Sequence, residues 1–189
     1  NLYQKQIPLE KNTQFLKNKR LRIGYFSADF QNHATMYLMS DIFEKYNREN
    51  FEVYIYSFGK SSDSDEIRQK LKNSVDMFRD VIDLDEKNIA LLSRKDKIDI
   101  AIDLKGYTRD SRPKIFAYRA APIQINFLGY PGTIGADFMD YIIADAVIIP
   151  DNKRKSYSEK IIYLPFTYQP NSHSTSSVRK NFSKNEMEL

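Results

Sequence analysis

Leu21-Arg22-Ile23-Gly24-Tyr25-Phe26-Ser27-Ala28-Asp29-Phe30-Gln31-Asn32-His33 is the stretch on which the fold turns. Its first half, Leu21 to Phe26, is an apolar run of strand length, and its second half is a polar loop. Past the loop, Met36, Leu38, Met39, Ile42, Phe43 and Tyr46 recur at helical spacing behind Thr35, which is placed to cap that helix. The same order of strand, loop and helix then repeats. Phe51 to Tyr56 alternates as a strand, Ser64 to Leu71 reads as a charged helix, Met77 to Ile82 as a third strand and Glu86 to Ser93 as a helix. Ile98 to Ile102 follows as a strand, Ser111 to Tyr118 as a helix and Ile123 to Leu128 as a strand, with Met139 to Ile143 and Lys160 to Leu164 supplying up to two more. Strands alternating with helices of this length predict an α/β fold, a doubly wound and mostly parallel sheet with crossover helices. No repeat of solenoid period interrupts it.

The composition is compatible with one such domain. The chain has 189 residues, a 41% hydrophobic fraction, 13 Tyr and 12 Phe, which suffices for a packed core and excludes a disordered chain. With no Cys it has no disulfide framework, no Cys-based zinc site and no thiol nucleophile, and two His argue against a His-rich metal site. The net charge of +4 is the small difference between 29 basic and 25 acidic residues, so it does not single out nucleic acid as a partner. The basic runs Lys17 to Arg22 and Lys153-Arg154-Lys155 read as solvated edges. No stretch approaches the roughly 18 apolar residues of a membrane span and no signal segment opens the chain, so a cytoplasmic protein without membrane or nucleic-acid partners is expected. The opening residue, Asn1, suggests a piece of something longer.

In an open α/β sheet, ligands bind beyond the carboxyl ends of the strands, so the loops that follow strands are the candidate sites. The loop after the first strand brings Asp29, Asn32 and His33 together, and a carboxylate beside an imidazole can serve as an acid/base pair. The alternative is a capping Asp and a surface His ahead of a helix. The loop Lys105 to Arg112 offers Arg109 and Arg112 to an anion, or is an ordinary turn with exposed charges. The loop Gly129-Tyr130-Pro131-Gly132-Thr133-Ile134-Gly135 holds three of the six glycines of the chain, and reads either as an anion-binding nest or as a plain turn. It is neither a dinucleotide fingerprint nor a P-loop.

Ala121 to Thr133, followed by Gly135-Ala136 and by Met139 to Asp145, resembles the catalytic region of protein O-linked N-acetylglucosamine transferases, glycosyltransferase family 41. Leu21 to Tyr25, Ser27 to Phe30 with Asn32-His33, Leu104 to Thr108, and Tyr157 to Lys160 leading to Leu164-Pro165 agree in order, so the resemblance runs from about Lys19 to Asn171. It implies a Rossmann-like amino-terminal lobe of a two-lobed GT-B enzyme. Such an enzyme is inverting and metal-independent, uses no cofactor, and moves N-acetylglucosamine from UDP-GlcNAc to Ser or Thr hydroxyls of protein acceptors.

By the same resemblance, Asp29, Asn32, His33 and Thr35 match the motif beside sugar and acceptor, with His33 handling hydroxyls and Asp29 orienting the loop. Leu128, Gly129, Tyr130, Pro131, Gly132 and Thr133 match the loop that lines the donor sugar. Gln31, Ala34 and Ala120 depart from the Gly, Pro and Pro usual in the family, Phe166 from a His found in many members, and Tyr37 from a His found in some. Residues 1–18 are expected to be a linker or the remnant of upstream TPR-type helices, 19–170 the lobe, and 171–189 a polar, mobile tail toward an absent second lobe that must act in cis. The isolated chain is therefore expected to have little or no activity. The competing expectations are a non-catalytic module that binds a protein partner or a sugar nucleotide, and an unrelated flavodoxin-like or receiver-type domain.

Overall fold

The structure is a computed structural model that describes residues 20–60, 62 and 64–171. The expected linker before Arg20 and the expected tail after Asn171 lie outside the described residues. Among the described residues, seven strands form one sheet: β1 Leu21–Ser27, β2 Phe51–Ser57, β3 Met77–Asp80, β4 Ile100–Asp103, β5 Ile123–Asn126, β6 Tyr141–Ala144 and β7 Lys160–Tyr163. Their spatial order is β3-β2-β1-β4-β5-β6-β7, and every neighbouring pair runs parallel, where the sequence predicts a mostly parallel sheet. The chain builds outward from β1 in one direction and then restarts from β1 in the other. The switch point therefore falls between β1 and β4.

Because crossover helices cover both faces, the strands are apolar on both sides. Neighbouring residues feed opposite layers. Tyr25, Ile55 and Ile102 pack with Met36, Met39 and Phe43 of α1 (Ala34–Lys45) and Leu71 of α2 (Glu66–Ser74). Phe26, Tyr56 and Ala101 pack with Ile89 and Ala90 of α3 (Glu86–Lys95) and with Ile115 and Phe116 of α4 (Lys114–Ala117). The stacked rings of Phe26 and Tyr56, 4.5 Å apart, tie β1 to β2 in the second layer.

Local differences from the predicted elements have simple causes. The helix expected over Ser111 to Tyr118 is one short turn, because Pro113 sits at its start and Arg119 ends it with φ 61°. Asp151–Ser156 forms a 3-10 helix that the sequence pattern does not announce. It carries the Lys153-Arg154-Lys155 run, which is solvent-exposed as expected. Helix α1 is capped by His33 rather than Thr35, and Thr35 is buried in its first turn. Among the described residues, no helix is long and apolar enough to cross a membrane.

Candidate active site at the switch point

The carboxyl ends of β1 and β4 lie side by side, with Phe26 in register with Asp103. Beyond them Asp29, on the loop after β1, meets Lys105, on the loop after β4. Lys105 Nζ donates to both Asp29 oxygens, at 2.9 Å and 2.7 Å, and both residues are buried. This ion pair closes the switch point with two elements 76 residues apart in the chain.

The rest of the loop is laid over this pair. Thr35 Oγ1 lies 3.5 Å from Asp29 Oδ2, and His33 Nδ1 is 3.7 Å from the same oxygen. The His33 side chain is 46% exposed, so its ring stands at the mouth of the crevice while the groups beneath it are shielded. Asn32 is fixed from two sides: its N–H donates to Asp65 Oδ2 at 2.7 Å, and its Oδ1 accepts from the Tyr37 hydroxyl at 2.7 Å. Asp65 also caps α2 through the Arg68 N–H. Arg68 is buried and donates to the Phe30 carbonyl at 3.1 Å and to Ser57 Oγ at 2.9 Å, and it pairs with Asp80. Helix α2 thus clamps the loop that carries Asp29 and His33.

The glycine-rich loop reaches the same place from β5. Leu128 is buried with φ 70°, and Gly129 lies so close to β4's end that a Cβ there would overlap the Leu104 carbonyl oxygen and stand 3.0 Å from Lys105 Cα. Buried Asn126 holds the turn, donating from Nδ2 to the carbonyls of Tyr130 at 3.2 Å and Gly132 at 3.1 Å. Tyr130 is 39% exposed and packs edge-on against Tyr107. The Pro131 carbonyl accepts from the Tyr157 hydroxyl at 3.1 Å, and Thr133 Oγ1 donates to Glu159 Oε2 at 2.6 Å. The close approach at Gly129 serves the packing of one loop on another.

The structure therefore joins both predicted groups of residues, Asp29 to Thr35 and Leu128 to Thr133, through Lys105. It does not use the two arginines in that way. Arg109 points into solvent beside Asp110, and Arg112 is a strut donating to Glu86 and to the Leu84 carbonyl. Beneath Lys105, burial pushes the Asp103 carboxyl up to about 7, against the opposing pull of the Lys105 and Gly106 N–H groups and the Lys105 charge. Sequence reasoning missed Lys105, Asn126 and Glu159 as site-building residues. Lys105 had one available signal: it lies two residues past the strand that neighbours β1. Among the described residues, no cluster of three or more His, Asp or Glu could hold a metal ion.

Comparison with known proteins decides the family. The model of glycosyl transferase family 41 matches residues 2–181. The chain belongs to glycosyl transferase family 41. A probable UDP-N-acetylglucosamine–peptide N-acetylglucosaminyltransferase SEC of Arabidopsis thaliana is 43% identical over 155 residues, which is 82% of this chain and 16% of that protein. A UDP-N-acetylglucosamine–peptide N-acetylglucosaminyltransferase of Caenorhabditis elegans is 43% identical over 151 residues, covering 79% of this chain and 13% of its own length. Among solved structures, a mutant O-GlcNAc transferase of Thermobaculum terrenum superposes with a TM-score of 0.76 at 34% identity, over 81% of this chain and 29% of its own. This family 41 chain thus spans about a sixth or less of the two curated relatives.

Proposed function

We propose that this family 41 chain is the amino-terminal lobe of a GT-B glycosyltransferase that moves N-acetylglucosamine from UDP-GlcNAc to Ser or Thr hydroxyls of proteins. What carries the reading is the Asp29–Lys105 ion pair at the switch point, with the exposed His33 ring above it and the Leu128 to Thr133 loop beside it. The relatives' names supply the donor, the transferred sugar and the peptide acceptor.

In the proposed reaction the acceptor oxygen bonds to the anomeric carbon as the bond to the UDP oxygen breaks, UDP leaves with the electron pair, and the proton of the acceptor hydroxyl passes to an oxygen of the departing diphosphate or to water. A single displacement inverts the configuration. His33, at the mouth, meets a hydroxyl of acceptor or sugar. The Leu128 to Thr133 loop, anchored by Asn126 and Glu159, lines the sugar. The charge that develops on UDP needs donors positioned before the reaction. Lys105 is committed to Asp29 within this lobe, and the proposal assigns those donors to a second lobe that acts in cis, with no metal ion or cofactor taking part.

A UDP-release assay with a protein acceptor tests this reading. The 189-residue chain alone is expected to give no turnover, and the same chain joined to a second family 41 lobe is expected to turn over in the presence of EDTA. Absence of transfer by the joined protein would favour a non-catalytic binding module instead.

A further inference from the structure

The hydrogen bonds around His33 specify which ring nitrogen carries the proton. Nδ1 caps helix α1: the backbone N–H of Thr35 points at it from 3.2 Å, and Thr35 Oγ1 stands 3.1 Å away. A backbone N–H can only donate, so Nδ1 must offer its lone pair. In the neutral ring the proton is then on Nε2. The opposite tautomer would set Nδ1–H head-on against the Thr35 N–H, with only the neutral Thr35 Oγ1 at 3.1 Å to accept from it, and it would be favoured only where an anionic acceptor came within reach. Asp29 Oδ2 is the candidate, but it lies 3.7 Å from Nδ1, beyond hydrogen-bond reach, and both Asp29 oxygens are already held by Lys105.

We propose that Lys105 is a positioning residue that selects the tautomer of His33: by holding Asp29 away from Nδ1, it leaves the ring in its Nε2–H form. His33 then meets a substrate oxygen as a hydrogen-bond donor, and it is not a base poised to take the acceptor proton. In a relay of Asp, His and hydroxyl, the carboxylate accepts from Nδ1–H and frees Nε2 as the base. The Lys105–Asp29 pair removes that option. The inference rests on the transferase reading only for what Nε2–H touches, since the tautomer belongs to the lobe without substrate.

The chain has two His, so the imidazole nitrogens of a 15N-labelled sample give two sets of signals, and His33→Asn identifies which set is His33. Above the imidazole titration, His33 is expected to show an unprotonated Nδ1 and a protonated Nε2. Lys105→Met frees the carboxylate, and the Nδ1–H form should gain about tenfold in population, the worth of one hydrogen bond to a charged group. Lys105→Arg should restore the original signature. A protonated Nδ1 in the wild-type chain, or an unchanged tautomer in a folded Lys105→Met chain, would overturn the proposal. The wild-type spectrum decides even where Lys105→Met does not fold. Failure of the transfer assay leaves this measurement untouched, so the two readings fail separately.

Discussion

The buried carboxylate of Glu159 accepts a hydrogen bond from the Thr133 hydroxyl at 2.6 Å and from the Ile134 N–H at 2.6 Å. The end of the glycine-rich loop, which leaves β5, is thereby fastened to the residue that precedes β7, on the far side of β6 in the sheet. Glu159→Ala strands the buried Ile134 N–H without an acceptor and should cost about 2 to 3 kcal/mol in urea unfolding. Glu159→Gln keeps one acceptor oxygen and should fall between that variant and the parent. Amide exchange at Ile134 should accelerate in the order Gln then Ala, and a uniform rate in all three chains would show that Glu159 does not hold the loop.

Two glycines of that loop should respond differently to the same change. Gly129→Ala places a methyl group into the Leu104 carbonyl, which is backbone and has little room to yield. The loops after β4 and β5 must then separate, and a loss of about 3 kcal/mol or more is expected. Gly135 has φ +67°, and a Cβ there would find no neighbour within 4 Å, so Gly135→Ala meets only the left-handed backbone penalty of about 1 kcal/mol. Gly135→Asn, a residue that tolerates that region, should cost less. Thermal or urea melts of the three variants check the ranking, and equal losses at 129 and 135 would contradict the packing described.

The difference between these glycines marks where sequence reasoning stops. Strand-length apolar runs such as Leu21 to Phe26, separated by segments of helical spacing, are a local signal, so the seven strands and the parallel class were legible. The resemblance named the loops that converge. The ion pair between Asp29 and Lys105 was not legible, because neither spacing nor composition tells which of the charged side chains 76 positions away turns inward. Arg109 and Arg112 look like better anion ligands than Lys105 on paper. The short helix after Pro113 and the tight turn at Arg119 belong to a segment that leaves Arg109 in solvent and engages Arg112 with Glu86. The capping of α1 by an imidazole is unreadable for another reason: Thr35 is the better capping residue by type, and only the backbone path assigns the cap to His33.

That cap allows the chemical role of His33 to be separated from its structural one. His33→Ala removes the acceptor for the Thr35 N–H and should lower stability by about 1 kcal/mol without unfolding the sheet. His33→Asn restores a good capping side chain and should recover most of that loss. In a protein that carries both lobes, transfer should be lost in both variants, because neither side chain presents the Nε2–H at the mouth. Recovery of turnover in His33→Asn along with the cap would reduce His33 to a capping residue.

Asp103 makes the stability of the lobe depend on pH in a defined direction. Burial raises its folded-state value to about 7, above the ordinary carboxylate value near 4 that applies to the unfolded chain. Between those values the folded state binds more protons than the unfolded state, so the Asp103 contribution to stability falls as pH rises from about 4 to about 7 and is level above that. The Lys105 N–H, 2.9 Å from Asp103 Oδ1, needs only an acceptor oxygen, which an amide also supplies. Asp103→Asn should therefore keep the turn into Lys105 while removing the charge that burial disfavours. Urea unfolding at about pH 5 and about pH 8 should show the variant gaining on the parent at the higher pH, by a shift on the order of a few kcal/mol. A difference between the two chains that does not change with pH would mean that Asp103 is charged in the folded lobe throughout that range.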